Sequence, residues 1–567
     1  MDRPWLRHYD EGVPATIDYP KVPIDRLLAQ SASGHPDHAA LIFGARVGSR
    51  LLESAMTYRE LDEAVNRFAS GLKRLDVGRG DRVVVMLPNC PQFIIAAYAC
   101  WRIGAILVCC NPLYVEREVE QLINDSGAAT FIVMSSLYGR IRAVRPNTCL
   151  ERVIVTNIKE YFPGLLKLLF TLTKEKKQGH RVDIGDDEGT YWFQDVLQKP
   201  GSTPEPVEID PGDVAALVYT GGTTGGPKGA QLTHRNLVSN AIAMNVWAQS
   251  REGVDIIISV MPFFHIYGLT VGVNTAIVNA LTAVLLPDPR DLLHALAAIR
   301  KHRATFYPAV PTMVAALNNH PRVGEFDLTS LRFAACGAAP LPPEVQARFE
   351  EITGCPIVEA YGMTESSPTV CAGPVTHPRP RSIGVPIPDT DMKIVDIETG
   401  GTEMPPGEIG EIIVKGPQVM KGYWKQPEAT ADAIRVGPDG EPGWLYTGDI
   451  GSMDEYGYFH IEDRKKDMII AGGYNIYPAE VEAILFEHPK VLEGAVIGVP
   501  DERRGETVKA FVVLREGERA TEDEIIQFCR ENMAVYKIPR VVEFRDDLPK
   551  SLIGKVLRRK LREGSDG

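Results

Sequence analysis

The stretch YTGGTTGGPKG, from Tyr219 to Gly229, holds five glycines, three threonines and one lysine in eleven residues. Glycine tolerates backbone conformations that turn N–H groups inward, and threonine hydroxyls and a lysine supply further donors. These are the components of a polyphosphate cradle. A flexible surface loop is the plainer interpretation, but Gly/Ser linkers rarely carry three threonines and end in Pro-Lys-Gly. The composition therefore favours a phosphate-binding loop.

The residues on either side predict how this loop is held. The apolar run DVAALVYT before it is typical of a buried strand. The run LTHRNLVSNAIAMNVWA after it is typical of a helix, with Thr233 as its N-cap. The sequence therefore predicts a loop that joins a strand to a helix.

Two other glycine-rich nucleotide loops are excluded. A P-loop NTPase requires Gly-Lys followed directly by Ser or Thr, whose hydroxyl binds magnesium. Lys228 instead stands between Pro227 and Gly229. The protein-kinase loop is excluded because no G-x-G-x-x-G or H-R-D context accompanies the stretch.

Composition indicates a globular protein of more than one domain. The chain has 567 residues, 44% of them apolar and 24% charged, with a net charge of −13. Nonspecific nucleic-acid binding is disfavoured, because it needs a basic surface. The nine cysteines include no C-x-x-C pair, which is typical of reduced thiols in a cytoplasmic protein.

The sequence predicts neither a signal peptide nor a membrane span. Its N-terminal stretch contains acidic residues and no apolar run. The longest apolar run, FIIAAYACWRIGAILVCC, contains Arg102 and Gly104. We interpret it as a buried helix followed by a strand. A cytoplasmic location is expected.

Alternating helical and strand-like runs predict an α/β fold with parallel sheets flanked by helices. The alternation begins in residues 57 to 135 and recurs at DIIISVMP, at NALTAVLLP and in LLHALAAIRKHRATFYPAVP. From about residue 381, strands punctuated by glycine and proline predict a small β-rich subdomain. After Arg464 a short α+β pattern predicts a small, mobile C-terminal domain. We predict domains over residues 1–463 and 464–567.

Further motifs follow in order along the chain. They are CGAAPL (Cys336–Leu341), YGMTE (Tyr361–Glu365), WLYTGDI (Trp444–Ile450), DRKKDMIIAGGYNIYPAEVE (Asp463–Glu482) and LPKSLIGKVLRR (Leu548–Arg559). Small residues let a planar base lie against backbone, an aromatic ring can cover its face, and a carboxylate can bind Mg²⁺ against ATP phosphates. Taken singly, each motif is also explained by a common turn, a turn-capping aspartate or a solvated charged run.

In this order, and together with GYWKQPEATADAI and PFFHIYG, the motifs make the chain resemble the adenylate-forming superfamily. That superfamily comprises acyl-CoA synthetases, nonribosomal adenylation domains and beetle luciferases. The stretch PGWLYTGDIGSMDEYGYFHIEDRKKDM is similar to the signature of the fatty acyl-CoA synthetase branch. Gly221 departs from the serine of many members, but the fatty acyl branch tolerates glycine there. The resemblance implies an N-terminal AMP-binding domain over 1–463 and a C-terminal AMP-binding-enzyme domain over 464–567.

The resemblance also implies the site residues. The expected nucleotide-binding set is Thr220, Gly221, Gly222, Thr223, Thr224, Gly225, Lys228, Gly337, Ala338, Ala339, Glu359, Tyr361, Gly362, Asp449 and Arg464. Tyr361 is expected to stack on adenine, and Asp449 to bind the ribose. Mg²⁺ is expected at Thr220 and Glu365, and the expected catalytic set is Lys555, Thr364, Glu365 and His265.

The reaction implied by the resemblance has two steps. A carboxylic acid attacks the α-phosphate of MgATP, and coenzyme A then attacks the acyl-adenylate. Such catalysis is positioning plus charge stabilisation, without a nucleophilic triad. Lys555 is expected to act in the first step. The C-terminal domain is then expected to rotate at Lys466, in a hinge near residues 464–467, and to present Gly472, Gly473 and Tyr474 to coenzyme A.

The acid itself is less strongly specified. An amino acid is disfavoured, because nonribosomal domains place an aspartate where this chain offers Phe264 and His265. His265 is expected to border the acyl site, although a packed histidine without a direct role is the alternative. The apolar run IYGLTVGVNTAIVNAL that follows can line a tunnel or form plain core. We predict a medium- or long-chain fatty acid.

Three alternatives stay open: an aryl or 4-coumarate-type CoA ligase, a stand-alone adenylation enzyme that loads a carrier protein, and a non-catalytic nucleotide-binding regulator. The third is disfavoured by Lys555, Glu365 and the intact loop. For the nucleotide of coenzyme A, charge alone suggests Arg503, Arg504 and Lys537.

The expected partners are small molecules, with no nucleic acid; a homodimer and a peripheral membrane contact are left open. FPGLLKLLFTLTKEKK, Phe162 to Lys177, bears on the membrane because it sets a leucine-rich run beside four lysines. It is compatible with an amphipathic helix on a membrane surface or at an acyl entrance. A core-facing helix with a solvated basic end is an equally good interpretation.

Overall fold

The computed structural model describes residues 3–185, 187–198, 207–220, 227–471, 474–501, 505–550 and 556–563. The chain divides into two compact units. The large unit comprises Leu6–Thr390 and Gly416–Asp432, and the small unit comprises Met1–Trp5, Asp391–Lys415 and Ala433–Gly567. The predicted α/β class is confirmed. The predicted boundary between residues 463 and 464 stays a prediction.

Helices occur in both units. The α-helices are α1 Ile24–Gly34, α2 Tyr58–Arg74, α3 Pro91–Arg102, α4 Glu116–Ser126, α5 Tyr138–Val144, α6 Gly164–Thr173, α7 Phe193–Gln198, α8 His234–Trp247, α9 Thr275–Val278, α10 Leu292–His302, α11 Pro311–Asn318, α12 Pro343–Thr353, α13 Pro427–Ala433, α14 Pro478–Glu487, α15 Glu522–Asn532 and α16 Arg558–Glu563. A π-helix covers Gly268–Asn274. Short 3-10 helices cover Pro4–His8, Ser135–Leu137, Arg145–Asn147, Ile158–Tyr161, Val323–Glu325, Thr364–Ser366 and Val535–Lys537.

The strands form four sheets. They are β1 Ala39–Val47, β2 Arg50–Thr57, β3 Arg82–Met86, β4 Ile106–Cys109, β5 Thr130–Met134, β6 Arg152–Thr156, β7 Thr190–Trp192, β8 Val214–Thr220, β9 Lys228–Thr233, β10 Ile256–Ser259, β11 Thr282–Leu285, β12 Phe306–Ala309, β13 Phe333–Cys336, β14 Ile357–Gly362, β15 Thr369–Ala372, β16 Val385–Pro386, β17 Asp391–Val395, β18 Gly410–Lys415, β19 Gly422–Tyr423, β20 Ile434–Arg435, β21 Trp444–Met453, β22 Phe459–Arg464, β23 Ile469–Ala471, β24 Tyr474–Ile476, β25 Val491–Asp501, β26 Gly505–Leu514 and β27 Val541–Phe544.

The large unit contains two mostly parallel sheets. One has nine strands in the order β16-β15-β14-β13-β12-β10-β11-β1-β2, and the other has eight in the order β19-β9-β8-β4-β3-β5-β6-β7. Their central strands are continuous apolar runs, as expected for strands covered on both faces. Helix α3 is buried from Pro91 to Trp101, and β4 follows it. The predicted buried helix and strand in the longest apolar run are therefore confirmed.

The small unit contains two mostly antiparallel sheets. β17, β18, β21 and β20 form one sheet, with β22 on β21. β24, β23, β26 and β25 form the other, with β27 parallel to β26. Helices α14 and α15 contribute Leu485 and Ile525 to the core on this second sheet. The punctuated strands and the short α+β pattern predicted for this part of the sequence are confirmed.

The prediction that the glycine-rich stretch joins a strand to a helix is wrong. Residues 228 to 233 form β9, which pairs antiparallel with β8 and sets Thr220 opposite Lys228. Gly229 lies opposite Tyr219, and a Cβ at Gly229 would stand 3.1 Å from the Tyr219 ring. The glycine thus makes room for the aromatic ring across the hairpin, whereas in the sequence it looks like part of the loop.

The predicted start of the following helix is correct. Thr233 is the N-cap of α8, and its Oγ1 accepts a hydrogen bond from the Asn236 N–H at 3.2 Å. Asn236 Oδ1 in turn accepts from the Thr233 N–H at 2.8 Å. This reciprocal pair satisfies two backbone donors that a helix N-terminus would otherwise leave unpaired.

Within the described ranges, no helix is both long enough and apolar enough to cross a bilayer. All nine cysteines are free thiols, and Cys149 is the exposed one among them. Burial raises the pKa of the Cys90 thiol to about 12, as is typical of a thiol with structural rather than reactive character.

Candidate active site

Several predicted residues meet at one edge of the nine-stranded sheet. Strands β10, β12, β13 and β14 are parallel, so their carboxyl ends lie at the same edge. His265 follows β10, Gly337 to Ala339 follow β13, and Tyr361 to Glu365 span the end of β14. Ligands of open α/β sheets bind outside the carboxyl ends of the strands. The large unit therefore brings these residues to the place where a ligand is expected.

The surface beside Gly337 is shaped by small residues and one buried ring. A Cβ at Gly337 would lie 3.3 Å from the Ala360 carbonyl oxygen and 3.7 Å from the Tyr267 ring. Ala338 adopts a φ of 71°, in the left-handed region. The Tyr267 hydroxyl donates to the Ala335 carbonyl at 3.0 Å, which fixes the ring behind Gly337. A flat ligand can approach backbone here, and Tyr267 is a contributor that the sequence analysis did not identify.

Glu359 is a carboxyl group with a perturbed pKa at this edge. It lies opposite Cys336 in the pairing of β13 with β14, and its Oε2 accepts from the Leu341 N–H at 3.1 Å. Burial raises the pKa of Glu359 to about 7, because the charged form loses water. Its charge therefore changes near neutral pH.

The segment from Tyr361 to Thr364 is tightly packed. Tyr361 is 8% exposed and Thr364 is also 8% exposed. A Cβ at Gly362 would stand 1.9 Å from the Pro368 carbonyl oxygen, so only glycine fits between β14 and the chain that returns as β15. This close approach fixes the turn that carries Thr364 and Glu365, two residues of the expected catalytic set.

Glu365 is connected to the lysine of the glycine-rich stretch through a tyrosine. The Tyr423 hydroxyl donates to Glu365 Oε1 at 2.8 Å. The Lys228 ammonium lies 5.1 Å from the centroid of the same ring, within the range of a cation–π contact. Burial, and then the charge of Glu365, raise the pKa of Tyr423 above its ordinary range, so the phenol stays a donor. We call Glu365, Tyr423 and Lys228 the phosphate-side cluster.

Tyr423 reaches this position because β19 adds to the edge of the hairpin. Tyr423 pairs with Ala230 of β9, and the Trp424 N–H donates to the Gly229 carbonyl at 2.8 Å. The Met420 N–H donates to the Glu365 carbonyl at 2.8 Å. In the sequence, GYWKQPEATADAI is only a family match and assigns Tyr423 no role, because nothing in one sequence places residue 423 beside residue 365.

The phosphate-side cluster has the types of side chain that bind Mg²⁺ in complex with a polyphosphate. The described residues contain no group of three or more His, Cys, Asp or Glu side chains able to hold a metal. Mg²⁺ is commonly bound by one or two protein oxygens, substrate phosphates and water. Glu365 uses one carboxylate oxygen for Tyr423, and in the described structure the other accepts no hydrogen bond. The Thr220 hydroxyl donates to the Lys228 carbonyl at 3.4 Å and keeps its lone pairs for a cation.

His265 is half-buried on the turn that leads into the π-helix. Its ring Nδ1 accepts from the backbone N–H of Tyr267 at 3.2 Å, and the backbone N–H of His265 donates to the Pro262 carbonyl at 3.0 Å. A Cβ at Gly268 would lie 2.1 Å from that same carbonyl, so glycine is required for the turn. The π-helix that follows is wholly buried, and π-helical turns are frequent at functional sites.

In the small unit, Asp449 and Arg464 form an ion pair across neighbouring strands. They lie opposite each other in the pairing of β21 with β22, with Arg464 Nε 2.8 Å from Asp449 Oδ1. Asp449 is 3% exposed, and its N–H donates to the Thr447 hydroxyl at 3.1 Å. A carboxylate held this firmly is preorganised to accept hydrogen bonds from a ligand.

Lys466 lies on an exposed turn between β22 and β23. The Asp467 and Met468 N–H groups both donate to the Arg464 carbonyl, at 2.9 Å and 3.1 Å. On the strand side of the turn, Lys465 Nζ lies 2.8 Å from Glu411 Oε2. A few residues at the end of an anchored strand are a common form of hinge. The hinge role of Lys466 stays a prediction.

Several predicted site residues lie outside the described residues. They are Gly221, Gly222, Thr223, Thr224, Gly225, Gly472, Gly473, Arg503, Arg504 and Lys555. Tyr474 is described through its backbone, as the first residue of β24. The residues that flank Lys555 are well anchored: Lys550 pairs with Val556, and Arg558 forms two hydrogen bonds to Glu482, at 2.7 Å and 2.8 Å. Lys537 forms an ion pair with Glu480.

Family models and curated relatives both match this chain. A model described as AMP-binding enzyme matches residues 28–424, and one described as AMP-binding enzyme C-terminal domain matches residues 480–555. A long-chain-fatty-acid–CoA ligase of Bacillus subtilis (strain 168) is 41% identical over 565 residues, covering 99% of this chain and 98% of that protein. A protein of the same name from Yersinia pestis is 38% identical, with coverage of 99% and 98%.

Solved structures show the same architecture. ATP-bound MatB from Rhodopseudomonas palustris has a TM-score of 0.81 and 30% identity, covering 96% of this chain and 99% of that one. The anthranilate CoA ligase AuaEII, in complex with anthranoyl-AMP, has a TM-score of 0.80 and 27% identity, covering 96% and 97%. With family models that match most of its length and relatives that match nearly all of it, the chain belongs to the AMP-binding enzymes of the adenylate-forming superfamily.

Proposed function

We propose that this protein is an ATP-dependent acyl-CoA synthetase that converts a medium- or long-chain fatty acid into its coenzyme A thioester through acyl-AMP, with release of pyrophosphate. The observation that carries the proposal is the phosphate-side cluster, which connects Glu365, after the carboxyl end of β14, to Lys228 of β9 through Tyr423 of β19. It sets a carboxylate and an ammonium group on one tyrosine ring, at the base of the glycine-rich stretch. These are the groups that bind a magnesium-complexed polyphosphate.

In the first step, a carboxylate oxygen of the acid attacks the α-phosphorus of ATP. A C–O–P linkage forms, the bond between the α-phosphorus and the bridging oxygen breaks, and pyrophosphate leaves. Lys228 and the threonines of the glycine-rich stretch are proposed to hold the β- and γ-phosphates. Glu365 and Thr220 are proposed to bind Mg²⁺, which when bound offsets phosphate charge. Lys555 is proposed to stabilise charge at the reacting carboxylate and the α-phosphate.

In the second step, the sulfur of coenzyme A attacks the acyl carbon. A C–S bond forms, the acyl–oxygen bond to AMP breaks, and the thiol proton passes to solvent or to the leaving phosphate. Gly472, Gly473 and Tyr474 are proposed to border the thiol arm, with Lys466 as the hinge between the two steps. Asp449 is proposed to hold the ribose hydroxyls throughout, since its ion pair with Arg464 fixes its orientation.

A fatty acid is favoured over an aryl acid by the relatives. The proteins named long-chain-fatty-acid–CoA ligase are 36–41% identical over nearly the whole chain. The ligase for anthranilate, an aryl acid, is 27% identical. The run PFFHIYG offers no acidic side chain to pair with an α-ammonium, which disfavours amino acids. We further propose that the enzyme acts in the cytoplasm on small-molecule substrates.

A substrate panel tests this proposal. Pyrophosphate release is measured with acetate, octanoate, palmitate, oleate, 4-coumarate, malonate and phenylalanine, each with and without coenzyme A, and thioesters are identified by mass spectrometry. We expect octanoate, palmitate or oleate to give the largest kcat/KM and to yield the thioester. Preference for 4-coumarate would contradict the fatty acid, and adenylation that never yields a thioester would favour a carrier-protein loader. Light scattering of the same sample establishes whether the chain is a homodimer.

A further inference from the structure

Helix α6 presents a row of leucines to solvent. Leu165, Leu168, Leu169 and Leu172 are 61%, 56%, 37% and 73% exposed. They are spaced at i, i+3, i+4 and i+7, so they share one face of the helix. In the part of the chain that the structure describes, only two further leucines are this exposed. An exposed apolar face of this kind on an otherwise polar surface marks an interaction site.

The opposite face of α6 is firmly held by the large unit. Leu166 and Phe170 are buried. The Phe170 ring packs edge-on against Phe162 and His180, with centroid separations of 5.7 Å and 5.5 Å, and Phe162 stacks on Phe43 of β1 at 5.4 Å. The leucine face is thus carried by a well-anchored helix, and its exposure is part of the folded structure.

The polar groups on the exposed side are already satisfied. Thr171 Oγ1 donates to the Lys167 carbonyl at 2.9 Å, and Thr173 Oγ1 donates to the Leu169 carbonyl at 2.6 Å. Burying a hydroxyl in an apolar medium is costly only when it lacks a hydrogen bond. The face can therefore enter an apolar environment without leaving these donors unpaired.

Exposed basic side chains follow the leucine face directly along the chain. Residues 159 to 183 contain six Lys or Arg and three Asp or Glu, a local net charge of +3 in a chain whose net charge is −13. Glu175 pairs with Lys159 and Glu160 with Lys167, so two acids and two bases of this segment cancel each other. Lys174, Lys176 and Lys177, directly after the helix, are exposed. Apolar and cationic groups are thus adjacent on one surface.

We propose that α6 docks on the surface of an anionic lipid bilayer, with its four leucines in the interface and the following lysines among the headgroups. Ten residues make a helix of about 15 Å, too short to span a bilayer but sufficient to lie in its interface. Anionic lipid is favoured over neutral lipid because each lysine near a negatively charged surface adds to binding. A second copy of the chain is disfavoured as the occupant, because a two-fold contact would bring the two basic segments together.

Vesicle co-sedimentation of the full chain tests the proposal, without substrate, so its outcome does not depend on the proposed reaction. Vesicles of phosphatidylcholine alone are compared with vesicles that also contain phosphatidylglycerol. We expect binding to the anionic vesicles, weakened by added salt, and at least about tenfold weaker binding for Leu168→Asp/Leu172→Asp, since two large apolar side chains lose their favourable transfer. Leu113→Asp is the matched control, because Leu113 is a 61% exposed leucine outside α6.

A second variant separates the two contributions to binding. Lys174→Glu/Lys176→Glu/Lys177→Glu is expected to reduce binding to anionic vesicles to the level seen with neutral ones. Circular dichroism melting checks that each variant folds like the wild type. Equal binding of wild type and Leu168→Asp/Leu172→Asp, or no binding of the wild type to either vesicle, would overturn the proposal. So would a wild-type dimer in light scattering that the leucine variant abolishes, because α6 would then contact a second copy.

Discussion

At the scale of single residues, the candidate site depends on side chains that hold other side chains. Tyr423 fixes one oxygen of Glu365, Tyr267 backs Gly337, and Arg464 holds Asp449. Sequence motifs identify Glu365, Gly337, Asp449 and Arg464. They do not identify the two tyrosines, because the contacts that define the roles of these tyrosines join residues far apart in the chain.

Removing the Tyr423 hydroxyl should weaken use of magnesium-bound ATP. In Tyr423→Phe, the Glu365 carboxylate loses a hydrogen-bond donor at 2.8 Å while the ring beside Lys228 remains. A hydrogen bond to a charged group contributes about 1.5–3 kcal/mol, so we expect KM for MgATP to rise by about tenfold or more. Steady-state kinetics over a range of Mg²⁺ and ATP concentrations measures this change.

Tyr446→Phe is the matched control for that experiment. The Tyr446 hydroxyl donates to the Gly400 carbonyl at 2.8 Å in the small unit, where no predicted site residue is involved. We expect it to leave KM for MgATP unchanged. If KM for MgATP is unchanged in Tyr423→Phe as well, the Tyr423 hydroxyl does not contribute to binding MgATP.

The raised pKa of Glu359 should make the stability of the protein depend on pH. Its pKa is about 7 in the folded protein against an ordinary 4.5, so the folded state keeps a proton that the unfolded state releases. The free energy of unfolding therefore falls by about 3 kcal/mol in total as pH rises from 4.5 to 7. Above pH 7 it falls no further from this cause. Below pH 4.5 this loss is absent.

Glu359→Gln keeps an acceptor for the Leu341 N–H and removes the titration. We expect its melting temperature, relative to wild type, to rise between pH 5 and pH 8. Calorimetry at both values measures the difference. A constant difference would show that Glu359 has the same pKa folded and unfolded.

At the scale of elements, most helices and strands could be predicted from apolar periodicity and capping residues. The N-cap at Thr233 and the strands of the α/β alternation are examples. The hairpin of β8 and β9 could not be predicted from the sequence, because the glycines and the proline in GGPKGA are typical of a loop and mask the start of β9. The addition of β19 to β9 also could not, since it pairs Tyr423 with Ala230, almost two hundred residues earlier.

The turn between β22 and β23 is where the hinge prediction applies. Proline fixes φ and removes an N–H, so Lys466→Pro should restrict rotation at this turn. We expect formation of acyl-AMP to be spared more than formation of the thioester, by about tenfold or more if the second conformation is lost. Pyrophosphate release and thioester formation are measured separately.

Lys466→Ala is the control, because it removes the ammonium group without restricting the backbone. It should leave both half-reactions near wild type. If Lys466→Pro loses both half-reactions equally, the hinge assignment is wrong.

At the scale of the whole molecule, the fold class followed from the alternation of apolar runs, and the family followed from the order of motifs. Individual motifs would have been ambiguous. What sequence could not supply is the pairing of strands distant in the chain and the exposure of one face of α6. Both depend on tertiary packing, which one sequence does not encode in its local pattern.

The proposed role of Lys555 concerns one half-reaction of the complete enzyme. In Lys555→Ala we expect adenylation to fall by several orders of magnitude, as charge stabilisation in the transition state is lost. Conversion of supplied acyl-AMP to thioester should be retained. Lys550→Ala, which removes an ion pair to Glu493 at 2.6 Å, is a control for structural loss in the same segment.

Transfer of ¹⁸O from the acid to AMP tests whether the acid is activated as acyl-AMP. Palmitate labelled with ¹⁸O in its carboxylate is incubated with ATP, Mg²⁺, coenzyme A and the enzyme, and the products are analysed by mass spectrometry. We expect one ¹⁸O in AMP for each palmitoyl-CoA formed, because the carboxylate oxygen that attacks the α-phosphorus leaves with AMP. Formation of ADP with ¹⁸O in inorganic phosphate, or of palmitoyl-CoA with unlabelled AMP, would contradict activation as acyl-AMP.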